Sequence, residues 1–437
     1  MTYAEAVARL LALRGGEHAG MRPGLERIET LLDALGRPER AYTLVQVGGT
    51  NGKGSTAAML AAILRADGRR VGLYTSPHLV SFRERIRVDG EAIAEDDVAD
   101  GFDAIATLVA RLDATMFEAT TALALDHFAR AAVDVAVLEV GLGGRLDATT
   151  VGEPAVTAIA RIDLDHQAVL GDTLAAIAAE KAAIIRSGVA LAAAQEAEAR
   201  DVLVARAAGV GVPLFLEGRD ISVRVAARGL DGQTIDCVGA DWRLDALSLP
   251  LLGVFQPSNA LLAVAAARAL GVRDAAVREG LSRARWPGRF EVRRAGDRLV
   301  VLDGAHNAGG ARALAASLAE WFGDTPVTLV FGAYRDKDAA AMLAALAPRV
   351  RRLILTASAS PRAERPEALA AQAPAGAPRA EIAGTPAEAL ALAAREPRTP
   401  ILCVAGSLSL VGDVIRHVAG DKPCPIEKAA DSMESLF

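Results

Sequence analysis

A glycine-rich segment with one lysine and several hydroxyl residues is the part of the chain best suited to chemistry. It reads TLVQVGGTNGKGSTAAML, in which an apolar strand ends near Val47, a loop follows, and a helical pattern begins at about Gly54. Glycines let backbone N–H groups approach a phosphate, a helix N-terminus favours negative charge, and Lys53 adds a positive charge. The hydroxyl of Ser55 is a ligand that Mg²⁺ accepts. The segment predicts a loop that holds the phosphates of ATP.

This loop departs from the common pattern GxxxxGK[ST], because Gly54 separates Lys53 from Ser55. Its residues are Gly49, Thr50, Asn51, Gly52, Lys53, Gly54 and Ser55. A glycine-rich turn without a ligand is the alternative. The loop does not distinguish a nucleotide switch or motor from an enzyme that uses ATP to form a bond.

Polar side chains at the ends of other apolar strands are candidates to bind a metal ion. Glu139 ends VAVLEV, Ser76 follows VGLYT, and Asp165 and His166 follow AVTAIARI. Ligands of open α/β folds bind at the carboxyl edge of the sheet, and a carboxylate is costly to bury unless it is paired or bound to a metal. The alternatives are that backbone N–H donors satisfy Glu139 and that His166 has a structural role without binding a metal.

Other basic and polar residues allow two interpretations. The helical pattern around Lys181 favours an ordinary exposed lysine. Asp303, His306 and Asn307 follow a later strand in DGAHN, and Arg289 in PGRF is either a phosphate-binding residue or part of a surface ion pair.

The elements that must position these residues alternate between continuous apolar strands and helices. This pattern predicts a doubly wound α/β domain with a parallel sheet covered on both faces. Shorter segments between about residues 221 and 249, separated by turn residues, predict a small antiparallel β insertion. Helices are expected at about 257–270 and 274–284.

The alternation starts afresh beyond Pro287 and Gly288, which predicts a smaller, Rossmann-like α/β domain. We therefore expect an ATP-binding domain over 1–290, a C-terminal domain over 291–420 and a loosely ordered tail over 421–437. With only 4% aromatic residues in the chain, the cores must consist mainly of aliphatic side chains.

Charge and cysteine content exclude several classes of protein. The net charge of −6 disfavours a nucleic-acid partner, and no apolar stretch is long enough to span a membrane. Three widely spaced cysteines predict neither a disulfide framework nor a zinc cluster. The N-terminal residues do not resemble a signal peptide. We expect a cytoplasmic protein, by default a monomer.

A set of motifs resembles one family of ligases in the order in which the motifs occur. They are PGLERIETLLDALGRP, VGGTNGKGS, YTSPHLVSFRERIRV, VAVLEVGLGGRLDAT, LDHQAVLGDTLAAIAAEKAAI, WPGRFE, DGAHN, GAYRDKD and GSLSLVGD. This order is similar to that of the folylpolyglutamate synthases and the bifunctional dihydrofolate synthase/folylpolyglutamate synthases, over roughly residues 20–418. The Mur ligases share the glycine-rich loop in shortened form.

The resemblance implies an ATP-dependent amide ligase of two domains with ATP between them. It assigns four residues to Mg²⁺: Ser55, Ser76, Glu139 and His166. It assigns four to ATP: Asn259, Arg289, Asp303 and His306. The pteroate substrate is assigned to Leu146, Asp147 and Ala148, with Thr115 and Phe117 as weaker candidates nearby. It also implies that Lys181 is carbamylated, which reverses the interpretation from the helical pattern. Lys53, Lys181 and His306 are the candidate catalytic residues. A monovalent cation such as K⁺ is a further expectation.

The expected reaction joins L-glutamate to dihydropteroate and to tetrahydrofolate or its polyglutamates. Thr150, Phe255 and Ser409 stand where the family usually has Asn, His and Tyr, and Thr150 lies beside the substrate stretch. The alternatives are a folylpolyglutamate synthase without the first activity, a Mur-type ligase and a nucleotide switch. Only 48 residues precede Gly49, too few for the nucleotide-binding domain that a Mur-type ligase requires.

Overall fold

Apolar runs form strands, and the segments between them form helices, in the computed structural model, which describes residues 1–13, 24–395 and 399–418. The strands are β1 (Thr43–Gly48), β2 (Val71–Tyr74), β3 (Ile86–Val88), β4 (Glu91–Ala92), β5 (Val135–Glu139), β6 (Val156–Ile159), β7 (Val189–Ala192), β8 (Leu214–Leu216), β9 (Ser222–Gly229), β10 (Gly232–Val238), β11 (Arg243–Leu249), β12 (Glu291–Ala295), β13 (Arg298–Leu302), β14 (Val327–Phe331), β15 (Val350–Leu355), β16 (Glu381–Ile382) and β17 (Ile401–Ala405). The helices are α1 (Tyr3–Ala12), α2 (Glu26–Ala34), α3 (Lys53–Ala66), α4 (Glu95–Leu112), α5 (Met116–Arg130), α6 (Gln167–Leu170), α7 (Leu174–Ala182), α8 (Ala197–Val210), α9 (Gln256–Ala269), α10 (Asp274–Ser282), α11 (Ala308–Phe322), α12 (Ala339–Leu346), α13 (Pro366–Ala371), α14 (Pro386–Arg395) and α15 (Leu408–Val418).

The first sheet has the strand order β4-β3-β2-β5-β1-β6-β7-β8. From β2 to β8 neighbouring strands are parallel. Every residue of β5 is buried, as expected for a strand covered on both faces. The predicted doubly wound fold is therefore confirmed. The sheet differs from a purely parallel one at its edge, where β3 pairs antiparallel with β2 and β4. These edge strands are less buried, so they lack the continuous apolar run that marks the others.

Helices cover both faces of this sheet. Helices α3, α9 and α10 pack on one face, where Leu60, Leu64 and Leu261 are fully buried in a largely aliphatic cluster. Helices α1, α2, α4 and α5 pack together on the other side of the domain around residues such as Leu31 and Leu123. The predicted helices at 257–270 and 274–284 correspond to α9 and α10.

The predicted antiparallel insertion is also confirmed. Strands β11, β10 and β9 form a separate antiparallel sheet in that order. Its apolar side chains, among them Ile235 and Leu247, join the same cluster as α3 and α9. The insertion is thus anchored on the first domain.

The third sheet, β12-β13-β17-β14-β15-β16, is parallel except between β12 and β13. It forms the predicted smaller α/β unit, and its first strand begins at Glu291. The expected tail over 421–437 lies outside the described residues. No helix in the described ranges has both the length and the apolar character needed to cross a bilayer.

Strand register brings the functional loops to one edge of each sheet. In the first sheet Val47 pairs with Glu139, and Gly48 pairs with Ile159. In the third sheet Leu302 pairs with Val404, and Phe331 pairs with Ala405. The loops that follow these strands therefore lie side by side, as parallel strands require.

Candidate active site

The glycine-rich loop connects β1 directly to α3. The backbone N–H groups of Thr50 and Asn51 donate to the carbonyl oxygen of Arg161, at 2.8 and 3.1 Å, which fixes the loop against the end of β6. Gly52 has φ of +99°, and a Cβ there would lie 2.2 Å from Oδ1 of Asn259. Only glycine suits this position, since it tolerates the left-handed backbone and the close approach of α9. The N-terminus of α3 lies at the position expected of a phosphate site.

Two lysines converge on this loop. Nζ of Lys53 donates to the carbonyl oxygen of Thr50 at 3.2 Å, and Nζ of Lys181 donates to that of Gly49 at 2.9 Å. Lys181 is only 4% exposed, so its interpretation as an ordinary exposed lysine was wrong. Burial, together with the charge of Lys53, lowers the pKa of Lys181 to about 7. A substantial fraction of this amine is unprotonated near neutral pH, which is the form that can react with carbon dioxide.

The expected metal ligands Ser55, Ser76 and Glu139 lie around the same edge. Glu139 is buried, and its Oε2 accepts the backbone N–H of Ser76 at 3.1 Å. Burial raises the pKa of this carboxyl, although Lys53 opposes the effect. The hydroxyl of Ser55 accepts from Nε2 of Gln256 at 3.2 Å. A buried carboxylate with few donors and a nearby hydroxyl suit Mg²⁺, which commonly takes one or two protein oxygens and completes its shell with phosphate and water.

The fourth expected ligand, His166, contacts Asp165 and Lys337. Its Nε2 is 3.4 Å from Nζ of Lys337, and no hydrogen bond joins it to Glu139 in the described part of the chain. Desolvation lowers the pKa of His166 to about 4, so the imidazole is neutral at pH 7, as a metal ligand must be. The described residues contain no cluster of three or more His, Cys, Asp or Glu side chains suited to a metal. Any ion held here would depend on oxygens of a bound phosphate.

The second domain supplies further candidates at its own strand ends. The Asp303 carboxylate accepts the backbone N–H groups of Phe290, at 2.7 Å, and Ala305, at 2.8 Å. Burial raises the pKa of Asp303 to about 6, opposed by the positive charge of Arg289. Nη1 of Arg289 donates to the carbonyl oxygen of Gly288 at 3.2 Å. Asp303 therefore shapes the turn that presents the half-buried Arg289.

His306 has a defined tautomer. Its Nδ1 lies 2.8 Å from the carbonyl oxygen of Gly304, and because a carbonyl oxygen only accepts, Nδ1 carries the proton. Burial lowers the pKa of His306 to about 4, so the ring is neutral at pH 7. Its Nε2 is then an acceptor, 3.7 Å from Oδ2 of Asp165.

Side chains from both domains meet between the two sheet edges. The amides of Asn51 and Asn307 bond to each other twice, at 3.1 and 3.2 Å. Asp165 accepts from Nδ2 of Asn307 at 2.9 Å and from Nζ of Lys337 at 2.6 Å. Burial would raise the pKa of Asp165, but the charge and hydrogen bond of Lys337 hold it well below its usual range. The cleft is closed by polar contacts around the glycine-rich loop.

The candidate substrate residues Leu146, Asp147 and Ala148 lie in the loop that follows β5. Asp147 is buried, and its carboxylate accepts the backbone N–H groups of Leu142 and Thr149, both at 2.9 Å. It shapes the loop that carries Leu146 and Ala148. The Thr150 hydroxyl donates to the carbonyl oxygen of Gly144 at 2.7 Å, so the threonine also holds this loop.

The weaker candidates Thr115 and Phe117 lie at the start of α5. The Thr115 hydroxyl accepts the backbone N–H of Glu118 at 3.2 Å and caps the helix. The Phe117 ring lies 5.9 Å from the Tyr74 ring and closely covers Gly141, just beyond Glu139. Phe117 therefore packs against the segment that follows Glu139.

A crevice between the domains leads toward Arg289. Its lining includes Thr75, His78, Trp286, Arg289 and Leu408. Glu84 and Arg87 also line it, so the crevice places apolar and aromatic side chains next to groups of both charges.

Three site residues make contacts that the sequence did not predict, and two of them, Gln256 and Lys337, were not among its candidates. Gln256 bonds to both Ser55 and Asn259, Asn307 bridges the domains, and Lys337 pairs with Asp165. Asn307 and Lys337 lie in the motifs DGAHN and GAYRDKD quoted above, and Gln256 lies three residues before the candidate Asn259. Their partners are distant in sequence, and the motifs carry no sign of those pairings.

The chain matches two domain families. Residues 47–267 match the Mur ligase middle domain, and residues 288–408 match the glutamate ligase domain of Mur ligases.

Curated relatives carry folate-related names. A probable bifunctional folylpolyglutamate synthase/dihydropteroate synthase of Haloferax volcanii is 41% identical over 94% of this chain, but the match covers 50% of that relative. The chain thus spans about half the length of such longer relatives. The dihydrofolate synthase/folylpolyglutamate synthase of Mycobacterium tuberculosis is 38% identical over 80% of this chain and 77% of that protein.

Solved structures agree over nearly the whole chain. Folylpolyglutamate synthase of Mycobacterium tuberculosis, complexed with ADP and AMPPCP, has a TM-score of 0.89 at 35% identity, covering 97% of this chain and 100% of that one. A complex of a folylpolyglutamate synthase with AMPPCP and folate has a TM-score of 0.84 at 33% identity, covering 96% and 100%.

Proposed function

The chain belongs to the dihydrofolate synthase/folylpolyglutamate synthase branch of the Mur ligase family, and from this premise we propose that it is an ATP-dependent ligase that joins L-glutamate to dihydropteroate and to tetrahydrofolate or its polyglutamates. The observation that carries the proposal is the closed cleft, where Asn51 of the glycine-rich loop meets Asn307 of the second domain and Asp165 meets Lys337. On the first-domain side, Lys53 and Lys181 bond to carbonyl oxygens of the same loop.

The need for ATP follows from the chemistry of the bond. A carboxylate and an amine do not condense in water at neutral pH, because oxide is a very poor leaving group. In the proposed reaction a carboxylate oxygen of the pteroate or folate attacks the γ-phosphorus, and the bond to the β-γ bridging oxygen breaks to release ADP. The amine of glutamate then attacks the carbonyl carbon of the acyl phosphate, and inorganic phosphate leaves with the bonding electrons.

The chain's own residues assist by charge, position and exclusion of water. Lys53 at the start of α3 offsets negative charge on the transferred phosphoryl group. Arg289, presented by the turn that Asp303 shapes, adds positive charge for the phosphates from the side of the second domain. His306, neutral with a free acceptor at Nε2, takes the proton that the glutamate amine loses. The closed interface keeps water from the acyl phosphate.

Mg²⁺ is the proposed metal, held by Ser55, Ser76, Glu139 and His166. When bound it supplies positive charge to the phosphate oxygens. A carbamylated Lys181 would add a carboxylate to this set, and a monovalent cation such as K⁺ is a further proposed component. The proposed ATP-binding residues are Gly49, Thr50, Asn51, Gly52, Lys53, Gly54, Ser55, Asn259, Arg289, Asp303 and His306.

The remaining assignments follow from the same proposal. Residues 1–290 form the ATP-binding domain and residues 291–420 the C-terminal ligase domain. Leu146, Asp147 and Ala148, with Thr115 and Phe117, shape the pteroate site. The enzyme acts as a cytoplasmic monomer and binds no nucleic acid.

The deciding experiment offers dihydropteroate and tetrahydrofolate separately, each with L-glutamate and Mg-ATP, and measures ADP and the glutamylated product. Glutamate-dependent ADP formation with both acceptors supports the bifunctional enzyme. Activity with tetrahydrofolate alone would indicate a folylpolyglutamate synthase. ADP formation that needs neither acceptor nor glutamate would contradict the ligase and favour a nucleotide switch.

A further inference from the structure

Lysine is rare in this chain, and its distribution is uneven. Of 48 basic residues, 43 are arginine and five are lysine. Lys422 and Lys428 lie outside the described residues. The three lysines within them, Lys53, Lys181 and Lys337, all lie in the cleft, where they contact Thr50, Gly49 and Asp165.

Ion pairs away from the cleft show what the chain uses when only a charge is needed. Arg352 binds Glu381 through two nitrogens, at 2.6 and 2.8 Å, and Arg349 pairs with Asp324 at 3.3 Å. Arginine is planar and bidentate, whereas lysine presents a compact ammonium group with three donors. Because the chain uses arginine almost everywhere else, the lysine at position 337 suggests that this position requires the compact ammonium group.

The backbone around Lys337 is held rigidly within its own domain. Arg335 donates to the carbonyl oxygens of Ala363, at 3.0 Å, and Pro361, at 2.6 Å. The Arg362 guanidinium lies 4.4 Å from the centroid of the Tyr334 ring. The loop after β14 thus presents Lys337 from a fixed base, and the side chain extends into the other domain.

The ammonium group lies beside the proposed metal and phosphate site. Its side chain is 7% exposed, and its Nζ is 2.6 Å from Oδ1 of Asp165 and 3.4 Å from Nε2 of His166. Asp165 also accepts from Asn307, whose amide is paired with Asn51 of the glycine-rich loop. This chain of contacts places the ammonium group close to where the end of the nucleotide would lie.

We propose that Lys337 is a third lysine of the phosphate site, carried in by the second domain, and that its ammonium group binds an oxygen of the γ-phosphate while Asp165 positions it. The proposal rests on the proposed ligase function, because it assumes a nucleotide at the glycine-rich loop. Domain closure then completes the phosphate site, since the second domain brings in the cation.

The test compares binding of ADP and the non-hydrolysable AMPPCP, each with Mg²⁺, by isothermal titration calorimetry. Lys337→Ala should weaken AMPPCP binding about ten- to hundredfold, the loss expected for one charge-assisted hydrogen bond, and leave ADP binding within about twofold. Lys337→Arg should share the defect, because a planar guanidinium replaces the compact ammonium group that contacts Asp165 and His166. Arg349→Ala, in a surface ion pair of the same domain, is the matched control and should change neither affinity.

Equal losses for ADP and AMPPCP in Lys337→Ala would overturn the proposal, as would unchanged binding of both. Full recovery in Lys337→Arg would contradict the requirement for a compact group. A raised KM for glutamate with unchanged AMPPCP binding would assign the lysine to the amino acid instead. Glutamate-dependent turnover by the wild-type enzyme tests the ligase function separately, so the two failures are distinguishable.

Discussion

The buried amine of Lys181 should make the stability of the protein depend on pH in a way that one substitution removes. Lysine has an ordinary pKa of 10.5, which applies in the unfolded chain, and burial lowers it to about 7 in the folded protein. Between these values the unfolded state binds about one more proton than the folded state. Stability therefore rises with pH over this range, by about 1.4 kcal/mol per pH unit at most.

The size of the effect follows from the two pKa values. At pH 7 the folded amine is about half protonated, and at pH 9 it is neutral while the unfolded amine is still largely charged. Integration over this interval gives a gain of about 2 kcal/mol in the free energy of unfolding. Below pH 7 the slope fades, because both states are then protonated.

The assay is urea unfolding followed by far-UV circular dichroism, in buffers free of carbon dioxide, for the wild type and Lys181→Met. The other titrating groups are common to both proteins, so the difference between their free energies of unfolding isolates Lys181. We expect that difference to shift by about 2 kcal/mol in favour of the wild type from pH 7 to pH 9. A difference that stays constant with pH would refute the reasoning.

A second measurement addresses the chemistry of the same amine. In bicarbonate buffer, native mass spectrometry should detect carbon dioxide added to the wild type and not to Lys181→Met. A wild-type protein that stays unmodified under these conditions would contradict carbamylation.

Three further substitutions probe the phosphate and metal sites. Lys53→Ala should abolish glutamate-dependent ADP formation with little change in melting temperature, and near-normal turnover would contradict its role at the phosphate. Gly52→Ala should weaken AMPPCP binding at least tenfold by calorimetry, because the new Cβ clashes with the Asn259 side chain. Gly68→Ala is the matched control: Gly68 also has positive φ, but the space around it is open, so binding should be unchanged. Glu139→Gln should raise the melting temperature of the metal-free protein, since it removes a carboxyl group that is costly to bury as a charge and whose pKa burial raises. The same substitution should abolish Mg²⁺-dependent turnover. A lower melting temperature would contradict this account.

Local patterns in the sequence were sufficient for the fold class. The continuous apolar runs that became β1 and β5, and the change to short alternating segments at β9 to β11, are consequences of burial on two faces or on one. The glycine-rich loop was also recognisable, since strand, loop and helix are contiguous. The edge strands β3 and β4 were not predicted, because their partial burial leaves no clear period.

The amino-acid sequence by itself therefore specified the two α/β units, the antiparallel insertion and the loop whose backbone suits a phosphate. These features depend on residues that are close together along the chain. The environment of Lys181 depends instead on the carbonyl of Gly49, 132 positions away. The pairing of Lys337 with Asp165 spans 172 positions and two domains. Burial and charge at such positions are set by groups that meet only when the chain folds. For that reason the pKa of Lys181 and the pairing of Lys337 depend on the tertiary structure.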